Sequence, residues 1–167
     1  MKKIGILLFI LLGYYLNAQT NCANALPFCA GGVSGVTFPA TTSTPAIQAQ
    51  PGPSYGCLGS TPNPAWYYLQ ISSSGSFSIL IAGQTISPVG PGQDVDFICW
   101  GPFNSLAGVC NSLTAGNTVD CSYSASFTET LHIASGVAGQ YYMVLITNYA
   151  NVTQNIVFNQ LDRKSVV

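Results

Sequence analysis

SFSILIA, residues 76–82, sets apolar Phe77, Ile79 and Ile81 against Ser76, Ser78 and Leu80. Side chains two apart on a strand share a face, so this stretch reads as a strand with one dry side and one wetter side. The same alternation returns where Leu131 and Ile133 interleave with Thr130 and His132. Helical periodicity is almost absent, while β-branched and aromatic runs recur between Gly, Pro, Ser and Asn clusters. Strands are expected over 33–38, 65–71, 76–82, 94–100, 119–124, 129–133, 140–147 and 155–159. About eight short strands, each with one buried face, predict an all-β fold: an antiparallel β-sandwich of jelly-roll type. Between them, proline-rich 41–63 reads as a long surface loop and 86–92 as a Pro/Gly turn.

The stretch 92–103, GQDVDFICWGPF, places Asp94 and Asp96 on one side of a strand and Val95 and Phe97 on the other as buried anchors. Only five acidic residues occur in the 167, so a pair here calls for a cause. With Asp120 the two form a candidate calcium site, because calcium takes carboxylate and carbonyl oxygens. The plainer use is structural, one carboxylate accepting backbone N–H groups at a sheet corner while the other faces water. Catalysis finds little support: His132 is the single histidine, it falls on the wetter face, and G-x-S-x-G is missing. Glu129 stands alone in the sequence, and a glycosidase pair with Asp94 or Asp96 is the enzyme reading these residues leave open. No catalytic residue is assigned, and calcium aside no cofactor is expected. In the run Trp66-Tyr67-Tyr68, Trp66 and Tyr68 share a face, where they would stack on sugars if exposed or pack in a core or interface if covered.

Composition narrows the setting. Lys2 and Lys3, the apolar run 4–12 and the small-residue site Leu16-Asn17-Ala18 make residues 1–18 a secretory signal peptide. That run is shorter than the ~20 residues a membrane-spanning helix needs, and no later segment qualifies, so no transmembrane segment is expected in the mature chain. Residues 19–161 form a single domain that contains no Lys or Arg, and its acids Asp94, Asp96, Asp120 and Glu129 give that span a net charge of −4. Charged residues make up 5% of the chain, against roughly 25% in ordinary domains. Nucleic acid is excluded as a partner, since phosphate binding depends on Lys and Arg. The six cysteines, Cys22, Cys29, Cys57, Cys99, Cys110 and Cys121, read as disulfides in an exported chain. Spacing favours Cys22 with Cys29, Cys110 with Cys121, and Cys57 with Cys99.

The end of the chain departs from the rest. Asp162-Arg163-Lys164-Ser165-Val166-Val167 brings two cations after a long stretch without any. DRKSVV before a stop is also the translation of a short-read sequencing adapter. Residues 162–167 are therefore expected to be non-native and the parent protein to be truncated here.

Several segments together resemble one known module. They are CANALPFC (22–29), YGCL (55–58), PNPAWYYLQI (62–71), DVDFICWGPF (94–103), VDCSYS (119–124) and GQYYMVLITNY (139–149). The series is similar to the N-terminal module of large secreted surface proteins of Bacteroidota, mainly flavobacteria, that carry repeats and a gliding-motility-type sorting domain. The D-x-D-F and G-Q-Y-Y segments resemble, more distantly, the bacterial pre-peptidase C-terminal domain, a calcium-tolerant jelly roll. The first resemblance implies export by Sec, then passage through type IX secretion to the cell surface or medium. It also implies that the partners are the downstream domains of the parent chain and a surface glycan or protein ligand. The expected function is a non-catalytic extracellular module for adhesion or display. The alternative is a carbohydrate-binding or pre-peptidase accessory module of a secreted hydrolase.

Overall fold

The alternating run at 76–82 forms the middle of the longest strand in the computed structural model, which describes residues 19–28 and 36–161. The strands are β1 (Leu26–Pro27), β2 (Val36–Pro39), β3 (Pro64–Gln70), β4 (Gly75–Thr85) and β5 (Gly90–Pro91), then β6 (Asp96–Phe103), β7 (Thr118–Ser122), β8 (Thr128–Gly136), β9 (Tyr141–Thr147) and β10 (Asn155–Gln160). The first sheet runs β1-β3-β9-β6-β7. The second runs β2-β10-β4, with β8 and, further along, short β5 on the free side of β4.

The pairing is nested. Strand β2 pairs with β10, β3 with β9, β4 with β8 and β6 with β7, all antiparallel. Folding a long ribbon of paired strands over itself in this way is the jelly roll, so the expected sandwich is the observed one. All eight anticipated strands fall on an observed one; β1 and β5, two residues each, and three short 3-10 turns were not anticipated.

Phe77, Ile79 and Ile81 meet Tyr67, Phe97 and Val144 between the sheets, and Val95 and Phe97 are the buried anchors expected of them. A second core lies on the outer face of the first sheet. There Trp66, Ile98, Trp100, Met143 and Leu145 are covered by Cys22, Leu58, Val109 and Leu113 from loops. Trp66 and Trp100 stack with centroids 5.6 Å apart, and Tyr55 from the loop packs on both. The indole N–H of Trp100 donates to the Ser54 carbonyl at 3.1 Å. Gly56 has φ +57°, a left-handed conformation that favours glycine, and a Cβ there would stand 2.7 Å from the end of the Ile98 side chain, which would have to turn aside. Residues 41–63 thus form a packed cover rather than a loose surface loop.

Disulfides fasten this cover, in a different pattern from the one spacing favoured. Cys22 bonds to Cys110 and Cys57 to Cys121, across 88 and 64 residues, while Cys99 is a buried free thiol. Strand parity explains the difference. Cys99 shares the inward side of β6 with Phe97, whereas Cys121 sits opposite outward-facing Ile98, beneath the loop that carries Cys57. A Cys57–Cys99 bond would have to pass through the sheet. Cys29, residues 1–18 expected to be a signal peptide, and the 162–167 tail lie outside the described residues.

Candidate functional site

Register places one set of strand ends together. Pro64 pairs with Thr147, Thr147 with Asp96, Asn155 with both Pro39 and Gln84, and Ala82 with Thr128. The loops leaving those ends therefore share one rim of the sandwich. That rim holds Ile47, Ile86, Val89, Tyr123, Phe127, Tyr149 and Val152, seven of the ten large apolar side chains exposed among the described residues. Scattered apolar exposure is ordinary, but concentration on one end is what marks contact surfaces.

Buried amides brace these loops. Asn63, Asn148 and Gln154 are buried. Asn63 Nδ2 donates to the Asn148 carbonyl and to Asn151 Oδ1, at 3.3 and 3.0 Å. Asn148 Nδ2 donates to the carbonyls of Thr41 and Val152, and Gln154 Nε2 donates to Asn148 Oδ1. Gln154 Oε1 accepts the Gln93 N–H at 2.7 Å. Asn63 and Asn151 hold positive φ of 47° and 52°, a conformation asparagine tolerates better than most residues. Interlocked buried amides of this kind fix a single loop arrangement.

Within the rim, Asp94, Asp96, Tyr123, Ser124, Ala125 and Tyr149 line a cleft of about 150 Å³. Asp96 is 1% exposed. Its Oδ1 accepts the Ser124 N–H at 3.0 Å. Its Oδ2 is buried beside the Thr147 hydroxyl, and neither atom has a hydrogen bond of normal geometry. Burial, then the charges of Asp94 and Glu129, push the Asp96 carboxyl up to about 7, against the pull of the Ser124 N–H and the Thr147 hydroxyl. Asp94, half-buried, is also shifted up by desolvation, and its Oδ1 lacks a hydrogen-bond partner. Facing the acids, Tyr123 and Tyr149 pack edge to face at 5.5 Å and share a 3.1 Å hydroxyl–hydroxyl bond. A Cβ on Gly59 would come within 3.1 Å of the Tyr123 ring, so that glycine seats the tyrosine.

The other candidates fall elsewhere. Asp120 pairs across from inward-facing Cys99, while Asp96 lies on the outward face, so the proposed calcium triad does not assemble. Both Asp120 oxygens are engaged, Oδ1 with the Cys121 N–H and Oδ2 with the His132 N–H. Among the described residues no group of three or more His, Cys, Asp or Glu is arranged to hold a metal ion. Asp120 instead closes part of the open edge of β8. Trp66 is fully buried and Tyr68 half-buried, so the face expected to offer rings to sugars is the one under the cover. Exposed His132 meets Ser78, Oγ to Nδ1 3.0 Å, as a cross-strand pair on the bare sheet. Glu129 lies near enough to Asp94 and Asp120 for their charges to raise its carboxyl, burial being the larger cause.

Tyr123 and Tyr149 were not singled out from the sequence. Both follow the last residue of a strand by one or two positions, and that placement at a strand end was the available signal. Among the described residues no helix is long and apolar enough to cross a membrane. No protein-family model matches the chain, and a search among curated proteins finds no match.

Proposed function

We propose that the chain is a non-catalytic, exported module of a larger cell-surface protein, acting in adhesion or display, with the loop-bearing rim as its ligand face. The observation that carries this reading is the gathering of exposed aromatic and aliphatic side chains on loops held by buried amides. Loops set on a rigid scaffold are where binding surfaces are usually built. Two disulfides between remote segments suit an oxidising compartment. The resemblance supplies a route, Sec followed by type IX secretion, and covalent partners in downstream domains. A second reading, an accessory module of a secreted hydrolase that holds carbohydrate, draws on the tyrosine pair beside two carboxylates.

The test uses a tagged parent chain in the cells that encode it. Protease added to intact cells should remove the tag. Deleting the gene should reduce cell retention on at least one of a set of amine-, hydroxyl-, methyl- and carboxylate-terminated surfaces. A protease-protected chain with reduced cysteines, or unchanged retention on every surface, would overturn the reading.

A further inference from the structure

The rim combines exposed apolar tips with a complete lack of positive charge. Its most exposed large apolar side chain is Val89, 71% accessible, and Ile86 on the same β4–β5 turn is 49% accessible. That turn leaves few backbone groups to dehydrate. Pro88 has no N–H, and its carbonyl accepts the Thr85 hydroxyl at 2.7 Å. Tyr123 and Phe127 stand on the β7–β8 connection, Tyr149 and Val152 on the β9–β10 connection, and Ile47 on the cover. The anchors of a protein interface usually cluster at its centre in packed pockets. Here the apolar side chains are divided among four connections, each held in place by the scaffold. A fluid apolar phase accepts separate tips of this kind.

Charge selects among such phases. Residues 19–161 hold four acids and no Lys or Arg. Asp94 and Asp96 belong to the rim, and Glu129 follows the first residue of β8 there. Anionic lipid surfaces attract proteins through Lys and Arg and repel an acidic end. A zwitterionic phospholipid carries no net charge and turns its ammonium group outward, so an acid-only rim meets no repulsion from it. We infer that the rim docks on a zwitterionic phospholipid surface, with Ile86 and Val89 entering the bilayer and the rings of Tyr123 and Tyr149 at headgroup level. Tyrosine suits that level because its ring is apolar and its hydroxyl wet. The inference rests on reading the rim as the module's ligand face, and it names the surface that face selects.

Insertion is shallow. Ser87 separates the two aliphatic tips from one another along the turn, and the half-buried Asp94 lies in the cleft nearby. Depths of about 5–10 Å, ending at the boundary of headgroups and acyl chains, are typical of peripheral binding. The driving force is burial of apolar area, so salt should not weaken it.

The experiment is co-sedimentation of the purified chain, both disulfides formed, with phosphatidylcholine vesicles in ~0.15 M and ~1 M salt. Vesicles of phosphatidylcholine mixed with phosphatidylglycerol, and methyl-coated beads, are run beside them. Saturable binding to phosphatidylcholine is expected, no weaker at the higher salt, and reduced on the phosphatidylglycerol mixture at the lower salt. Replacing Ile86 and Val89 together by serine should weaken binding about tenfold or more. Val89→Ser alone serves if that double variant fails to fold. Val137→Ser, at the opposite end of the sandwich and 52% exposed in the parent, should bind as the parent does. No binding to phosphatidylcholine, tighter binding to the anionic mixture, or parent-like binding by folded Val89→Ser and by the double variant would each overturn the inference. An equal loss in Val137→Ser would overturn it as well. Binding to methyl-coated beads alone would overturn it while leaving adhesion to a solid standing. The vesicle assay uses no cells, so its failure is distinct from that of the adhesion reading, which unchanged retention on every surface after gene deletion removes.

Discussion

On the second sheet the outward side chains meet solvent, with Ser78 and Thr130 half-exposed and His132 exposed, whereas on the first sheet outward Trp66, Ile98, Trp100 and Leu145 lie fully buried under a cover. The two outer faces began from the same strand geometry and differ because one carries aromatics and the other hydroxyls. A bare face needs only polar side chains. A covered face needs loops that lie flat on it, and here Gly56, the Tyr55–Trp66–Trp100 cluster and two disulfides hold them there. The difference teaches that the segments carrying the resemblance do two things: their Cys22, Cys57, Trp66, Trp100 and Cys121 build and anchor the cover. Asp94, Asp96, Tyr123, Ser124 and Tyr149 of the same segments line the cleft at its margin.

Truncating a side chain on each face should expose that contrast. Trp100→Ala removes half of the indole stack and should cost about 3–5 kcal/mol, as large core truncations do; chemical denaturation of parent and variant would measure it. Replacing Cys57 and Cys121 together by serine releases a closure of 64 residues and should cost about 2–4 kcal/mol. Faster hydrogen exchange should then appear in residues 41–63 before the strands between the sheets. If both changes loosened the second sheet as much as the first, the two faces would not be distinct.

At the margin of the cover, acidity offers a subtler test. Burial raises Asp96 to about 7 and shifts Asp94 and Glu129 in the same direction. Between the unfolded carboxylate range near 4 and the folded value, the native state holds more protons than the unfolded one. Stability must then fall as pH rises through that window and level off above it. Asp96→Asn mimics the neutral acid, so its melting temperature should exceed the parent's at pH 8 and match it near pH 4. Identical pH profiles for the two proteins would show that Asp96 is not buried as described. On the bare face His132→Ala should change stability by less than about 0.5 kcal/mol, since its Ser78 partner can turn to water.

Much of this was legible in the residues. The period-two run at 76–82 gave its strand and its inward face, and eight strands implied the sandwich. The second core was also written in the chain. Phe97-Ile98-Cys99-Trp100 and Met143-Val144-Leu145-Ile146 have no polar alternates, the mark of strands buried on both faces. Reading each strand as dry on one side only hid the cover and left Trp66 outside. The disulfide partners were half-readable, because Cys99 shares parity with Phe97 and so faces inward. The position of Cys57 above Cys121 depends on how a loop of more than twenty residues folds back, which local sequence does not specify. The cleft was least legible: nested strand pairing brings Tyr123, Tyr149 and Asp94 together from segments far apart in the chain.

The most direct test is a non-reducing peptide map of the exported protein. The expected result is one linked pair joining the peptides of Cys22 and Cys110, a second joining Cys57 and Cys121, and Cys99 recovered as a thiol. Recovery of Cys22 with Cys29, of Cys110 with Cys121, or of Cys57 with Cys99 would contradict a loop cover stapled across the first sheet.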